Sequence, residues 1–446
     1  MGTRTPAVER LMAGPLYRNE KQGELPDSWY VASADIPPDR PALRGAVSVD
    51  VCIVGAGFTG LSAARHLAAK GLDVIVVDAH RVGFGASGRN GGQVWSGYNY
   101  PHSEIAARYG AAHARDLWQI TQDAKDTVRD LCATAIPEAR FRPGIAECAT
   151  KPGEVADMHR EAAFLQDTYG YDAIRQLDRD DMRRLIKTTD YYGGTFDMGA
   201  GHIHPLRYVF GLARLAEAAG ARIFERTEVH HIAEGDPVTL RTGKGQITAH
   251  HVILAGNGYL PNINRAVTAK ILPANSYIAA TEPLGDRAKD VLAEDIAVSD
   301  TKFVKTYYRL SDDGRLLYGG RAAYGIGFPK DLATEMGGRI EKMFPQLRGV
   351  RIDYAWGGTL GITATKLPAI QRVAPNIVSA AGYTGQGVAL SGLAGKVLAE
   401  AIAGQADRFD TLATLDVPDF PGGLLLRDPI RRLAMTWFAL RDRLGL

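Results

Sequence analysis

Cysteine is scarce: Cys52, Cys132 and Cys148 are the only three in 446 residues. They are too few and too scattered for a disulfide framework or a zinc site. Cys52 stands in an apolar run and reads as a small buried residue. Excess charge is missing too. Fifty-two basic against 50 acidic residues leave a formal charge of +2, and no basic tract interleaves with aromatics. That pattern argues against a nucleic-acid partner. His250 and His251 form no spacing with other ligands that would hold a metal, so none is expected. No apolar stretch reaches the length of a membrane span, and the residues through Arg40 lack the apolar core of a secretory signal. A reducing cytoplasm is the expected compartment.

What the chain has in quantity is glycine, 50 residues of it, and the informative ones sit in turns. Val51 to Val54 is apolar on both faces, as a strand inside a parallel sheet should be, and runs into Gly55-Ala56-Gly57-Phe58-Thr59-Gly60 and a helix. Gly55 permits the tight turn, Gly57 lets backbone approach a pyrophosphate, and Gly60 lets helix and strand lie close. Amides at the helix start would face the phosphates. A second apolar strand, Val74 to Val77, ends in Asp78, at the spacing where a carboxylate accepts ribose hydroxyls and repels a 2′-phosphate. NADP is therefore disfavoured.

A second glycine-rich loop, Gly83 to Gln93, is too long for a hairpin turn and reads as a ligand-wrapping loop. The last βα unit, Asn376 to Gly382, leads through Gly382-Tyr383-Thr384-Gly385-Gln386-Gly387-Val388 into a helix to Ile402. This turn repeats the first in kind, and its dipole suits the negative charge of a reduced isoalloxazine near N1. A glycine turn near each end of the chain, with an acidic ribose ligand between, favours one long FAD over NAD.

Between these turns the spacing predicts helices over 104–135, 154–169, 178–185 and 206–219, and strands near 141–150, 194–198, 222–225, 238–240, 246–248 and 251–254. Pro143-Gly144 is expected to interrupt the strand over 141–150. Pro273 to Phe344 alternates in a strand-like manner. The expected fold class is α/β, α+β over the whole chain: a Rossmann-type FAD-binding domain with an inserted antiparallel-sheet substrate domain. The expected division is an N-terminal arm over 1–46, a discontinuous FAD-binding domain of 47–100, 200–260 and 350–446, and a substrate-binding domain of 101–199 and 261–349. The arm, proline-bearing from Pro26 to Arg44, reads as extended chain on the surface. Leu424 to Leu444 is basic and amphipathic; packing of its apolar face on the protein is preferred over contact with an anionic membrane surface.

Val54 to Ala63, Gly83 to Gly92, Gly201-His202-Ile203-His204-Pro205-Leu206, and Ala255-Gly256-Asn257 with Gly382 to Val388 together resemble the D-amino-acid-oxidase-like superfamily of FAD-dependent amine oxidases. Within it the pattern is most similar to γ-glutamylputrescine oxidases, from about Trp29 to the C-terminus; sarcosine, pipecolate and polyamine-derivative oxidases share much of it. The resemblance implies FAD contacts at Gly55, Ala56, Gly57, Phe58, Thr59, Gly60, Asp78, Ala79, Ser87, Gly88, Arg89, Asn90, Gly91, Gly92, Val229, Ala255, Gly256, Gly358, Gly385, Gln386, Gly387 and Val388. In such relatives a glutamate more often stands where this chain has Asp78. Attachment is expected to be non-covalent, since the loop Ser87 to Gly92 has no histidine and no cysteine lies in the later segments.

The activity implied is hydride transfer from an amine carbon to flavin, imine hydrolysis to an aldehyde, and reoxidation by dioxygen to hydrogen peroxide. Amino-acid oxidases of this superfamily clamp the substrate carboxylate with an arginine shortly before the last βα unit. Tyr354 to Thr363 holds none. An amine whose carboxylate lies far from the reacting carbon fits better, as in a γ-glutamylated diamine. Arg321 and Lys366 are candidates to hold that distal group, a solvated surface cation being the alternative for each. Trp356 and Tyr383 are the aromatic candidates beside flavin-facing motifs, with Trp95, Tyr98 and Tyr259 further off. His202 is a candidate to reach the active site, with packing as the alternative, and a capping role is expected for His204. Two other readings stay open: a flavin dehydrogenase passing electrons to a quinone or carrier protein, and a non-catalytic FAD-binding subunit.

Overall fold

The computed structural model describes residues 16–260, 263–302, 304–323 and 327–420, the side chains of 321–323 excepted. The basic segment Leu424 to Leu444 and the side chain of Arg321 lie outside the described residues.

Two sheets organise the chain. The first is built on strand Gly45–Val54, which pairs in parallel with Gly245–Leu254 on one side and Val74–Val77 on the other. Arg222–Phe224 and Ile377–Ala381 extend it in parallel at either end, and Ala369–Ala374 closes one edge antiparallel. Its central strands are buried: helices Phe58–Ala68 and Gly387–Ile402 pack against each other over one face. Gly395 makes that contact close. A Cβ there would fall 2.1 Å from the carbonyl oxygen of Thr59.

The second sheet runs in the order Ile352–Ile362, Leu272–Thr281, Leu316–Ala323, Tyr307–Leu310, Ala297–Asp300, Arg142–Cys148, Gly194–His202 and Gln93–Val94. Its pairs are antiparallel except Ala297–Asp300 with Arg142–Cys148. The architecture is mixed α/β: a parallel-rich sheet beside a long antiparallel one.

The differences from the sequence reading have local causes. The helix expected over 104–135 is two, His102–Tyr109 and Ala111–Thr134, broken at Gly110 with φ 86°. Pro143-Gly144 does not interrupt its strand; the register shifts there, with Gly144 at φ 103°. The strands read separately at 246–248 and 251–254 are one, Gly245–Leu254, which begins in a hairpin and ends inside the parallel sheet. Helix Leu332–Met343 falls within the stretch read as strand-like; Leu332, Met336, Ile340 and Met343 bury one face of it. The arm is anchored as well as extended. Ser28 caps a short helix, Trp29–Ser33, whose Trp29 and Tyr30 are buried in the main core.

Candidate functional site

The end of strand Gly45–Val54 shows why its turn is rich in glycine. Gly55 adopts φ 114°, and a Cβ on it would press on the Ala255 backbone at 2.8 Å. Gly60 has no room at all: its Cβ would lie 1.9 Å from the carbonyl oxygen of Gly55. Asp78 closes the turn, accepting hydrogen bonds from the amides of Ala56 at 2.7 Å and His80 at 2.8 Å. Burial raises its carboxyl to about 6; the two amides oppose that shift and the charge of Glu225 adds to it.

The arm crosses this end. His80 donates from Nε2 to the Leu16 carbonyl at 2.7 Å and accepts the Gly23 amide on Nδ1 at 3.2 Å. Gln22 donates to the Ala79 carbonyl, and the Tyr17 phenol donates to Glu228. The His80 ring stacks on Phe84 with centroids 3.5 Å apart. Burial pushes its pKa down to about 4, so the ring is neutral at physiological pH, as these two bonds require.

Arg89 carries the second glycine loop and is 3% exposed. Its Nη1 donates to Glu20 of the arm at 2.6 Å and to the Gly357 carbonyl at 3.0 Å, and Nε donates to Phe84. Its Nη2 has no partner. The loop backbone is held from behind. Tyr30 donates to the Asn90 carbonyl at 2.8 Å, Arg309 to Gly91 at 2.8 Å, and Trp356 Nε1 to Arg89 at 3.0 Å. Glu20, Tyr30 and Arg309 were not foreseen from sequence. The adjacent aromatic pair Trp29-Tyr30 in an otherwise polar arm was a signal that could have pointed to Tyr30.

The last glycine turn places Thr384 at φ 49° and Gly385 at φ 90° ahead of helix Gly387–Ile402, whose N-terminus has no side-chain cap. Gln386 leaves a buried Oε1 without a partner. Asn257 accepts the Gly382 amide at 2.9 Å, and Asn99 donates to the Thr384 carbonyl at 2.9 Å. The hydroxyls of Thr59 and Tyr383 meet at 2.7 Å. The two glycine turns thus touch.

Between them lies a cavity of about 740 Å³. Gly55, Ala56, Gly57, Phe58, Thr59, Asp78, Ala79, Ser87, Arg89, Asn90, Gly91, Val229, Ala255, Gly256, Gly358, Gly385, Gln386, Gly387 and Val388 line it, as does Tyr383. Gly60, Gly88 and Gly92 stand behind the wall, where each allows a close backbone approach. Trp356 is also behind it, with its ring edge on Tyr30. His202 lies outside the wall as well, buried, with Nε2 3.5 Å from Asp295. Burial lowers its pKa, against the pull of Asp295. His204 caps helix Pro205–Ala218, its Nδ1 accepting the Arg207 amide at 3.2 Å. Tyr98 is buried away from the cavity. Tyr259 lines it, accepting the Thr359 amide at 2.9 Å.

At the end remote from Asp78 the wall holds Trp95, Asn99, Asn275, Ser276, Tyr307 and Thr359 with three cations, Lys302, Lys305 and Lys366. Among the described residues no histidine or cysteine lines the cavity. Its volume falls within the range of cofactor and ligand clefts, roughly 300–1,000 Å³. The residues suit a dinucleotide: side chains are missing where a pyrophosphate must pass. Neither helix at the wall is capped by its own N-cap residue, although Ser87 Oγ accepts the Phe58 amide at 3.0 Å, and Arg89 Nη2 and Gln386 Oε1 are left for a ligand. Among the described residues no helix is long and apolar enough to cross a membrane.

Residues 50–401 match the sequence profile of the DAO family, described as FAD dependent oxidoreductase. The chain is 37% identical over 425 residues to gamma-glutamylputrescine oxidoreductase of Escherichia coli K12, covering 95% of this chain and all of the relative. It is also 37% identical to a probable oxidoreductase, OrdL, of Rhizobium meliloti, over 93% of this chain and 97% of that one. Among solved structures, glycine oxidase from Geobacillus kaustophilus superposes with a TM-score of 0.70 at 19% identity, covering 84% of this chain and 100% of the other. L-proline dehydrogenase from P. horikoshii gives 0.66 at 19% identity, over 84% and 98%. These two likenesses concern the fold.

Proposed function

The chain belongs to the DAO family of FAD-dependent oxidoreductases, which act on amine and amino-acid donors, and from that premise we propose that its substrate is a γ-glutamylated diamine such as γ-glutamylputrescine. FAD, when bound, would supply the hydride acceptor, with dioxygen as the proposed terminal oxidant and hydrogen peroxide as its product. The amine loses a hydride and a proton to become an imine, which water hydrolyses to an aldehyde and ammonia.

Where these residues stand supports the following roles. The turn Gly55 to Gly60 with Asp78, Ala79 and Val229 would hold the adenosine half. Ser87 to Gly92 would run along the pyrophosphate and flavin, with Ala255, Gly256 and Gly358 packed against it. Gly385 to Val388 would present the uncapped helix start to the flavin's electron-rich edge. Retention is non-covalent, since all three cysteines are buried away from the cavity.

The observation that carries the substrate reading is the strand Ile352–Ile362. It brings Gly358, Thr359, Leu360, Gly361 and Ile362 to the wall without an arginine, so an α-carboxylate next to the reacting carbon has no clamp there. Trp95, Tyr307 and Tyr383 make the wall partly aromatic, which favours the neutral amine that hydride loss requires. Tyr383 itself stays protonated: burial raises its phenol, and the bond to Thr59 only moderates this.

Purified protein should be yellow, release FAD on denaturation and form hydrogen peroxide with γ-glutamylputrescine. Rapid flavin reduction with negligible peroxide overturns the oxidase in favour of a dehydrogenase. Intact flavin that no amine reduces overturns the enzyme reading.

A further inference from the structure

The charges around the cavity are unevenly placed. Its acidic wall residues, Asp78 and Glu228, both stand at the end crossed by the arm, whereas Lys302, Lys305 and Lys366 stand at the other. An ammonium left without a carboxylate of its own there would disfavour the second positive charge of a free diamine and offer a partner to a carboxylate at the far end of a substrate.

The three lysines are not equivalent. Lys302 lies 3.1 Å from Asp300, and Lys305 lies 3.0 Å from Glu147, each committed to a carboxylate of its own. Lys366 has no ion-pair partner among the described residues. Lys366 is exposed at the rim; desolvation of its ammonium and the positive charge of Lys305 lower its pKa, and the charge of Glu104 opposes this. It therefore stands near a second cation without a carboxylate in ion-pair contact among the described residues.

The backbone fixes it there. Lys366 adopts φ 63°, a left-handed conformation uncommon for a residue with a side chain. The turn is tied by Thr363 Oγ1 donating to the Leu367 carbonyl at 2.7 Å. The Thr363 amide donates to Thr384 Oγ1 at 3.2 Å, joining the turn to the last glycine turn.

We propose that Lys366, with Lys305 beside it, is the subsite for a carboxylate at the far end of the substrate, and that it selects carboxylated amines over free diamines and uncharged N-acyl amines. This rests on the amine-oxidation reading above. The ammonium of Lys366 donates to the carboxylate, Lys305 adds field while staying with Glu147, and the reacting amine extends inward past Trp95 and Tyr307.

The test uses FAD-loaded wild-type protein with Lys366→Asn, which tolerates a left-handed backbone, and Lys366→Arg, which keeps the charge. KM and kcat are measured for γ-glutamylputrescine and N-acetylputrescine, with the flavin spectrum as the check on folding. Lys366→Asn should raise KM for γ-glutamylputrescine about tenfold, more than it lowers kcat, and cut the preference over N-acetylputrescine about tenfold; Lys366→Arg should restore most of it. An unchanged preference in Lys366→Asn, or an arginine variant that behaves like the asparagine one, overturns the subsite alone. Wild-type flavin that γ-glutamylputrescine fails to reduce overturns the substrate reading and the subsite with it.

Discussion

The hydroxyl of Thr59 and the phenol of Tyr383 lie 2.7 Å apart although 324 residues separate them in the chain. One belongs to the helix after the first glycine turn, the other to the last. Their bond is buried, so removing one partner strands the other's hydroxyl. Thr59→Val and Tyr383→Phe should each weaken FAD binding by about 1–2 kcal/mol, and the double variant by little more than either, a coupling of about 1 kcal/mol. Fluorescence titration of apoprotein with FAD measures this; additive losses would show that the two turns are held independently.

Asp78 gives a pH dependence of definite sign. Its carboxyl is raised to about 6 from an ordinary 3.8, so between those values the folded chain keeps a proton the unfolded chain has lost. Stability of the FAD-free chain should therefore be fully present below pH 4 and fall as pH rises through 6, by at most about 3 kcal/mol from this group. Thermal unfolding of apoprotein against pH, wild type beside Asp78→Asn, reads the difference. Parallel profiles would remove the assignment.

Two glycines separate crowding from backbone freedom. Gly60→Ala places a methyl group 1.9 Å from the Gly55 carbonyl oxygen and should cost at least about 3 kcal/mol, yielding protein with little FAD. Gly385→Ala meets open space but inherits φ 90°, and should cost about 1–2 kcal/mol with FAD retained. Flavin content per chain after purification tests the contrast.

These glycines were legible in the sequence because their reasons are local. An apolar run, a glycine turn and Asp78 lie within some thirty residues, and each residue type answers a constraint of that turn. The lysine at 366 was also visible as a candidate, though which cations share its mouth was not. Arg309, which holds the Gly91 carbonyl across 218 residues, left no trace in spacing or composition. Trp356 stood next to flavin-facing motifs, yet its indole lies behind the wall that Gly358 lines, where Nε1 donates to the Arg89 carbonyl, a long-range contact that spacing does not reveal. Helix Leu332–Met343 could have been read from its apolar residues spaced by four, four and three.

Glu20 ties the arm to the second glycine loop through Arg89. Glu20→Gln leaves the buried Arg89 guanidinium without its carboxylate, and with Glu20 partly exposed the loss should be about 2 kcal/mol. FAD release should quicken and proteolysis of residues 16–27 should increase. Unaltered release would mean that the arm covers the adenosine end without securing it.

Anaerobic titration of the FAD-loaded enzyme with γ-glutamylputrescine, putrescine, sarcosine and D-alanine, followed by flavin bleaching, is the most direct test. Stoichiometric bleaching by γ-glutamylputrescine, with slow or no bleaching by the other three, is the expected result. Bleaching by sarcosine or D-alanine in preference would contradict it, because both carry the carboxylate on a carbon bonded to the amine nitrogen, for which the strand Ile352–Ile362 offers no arginine.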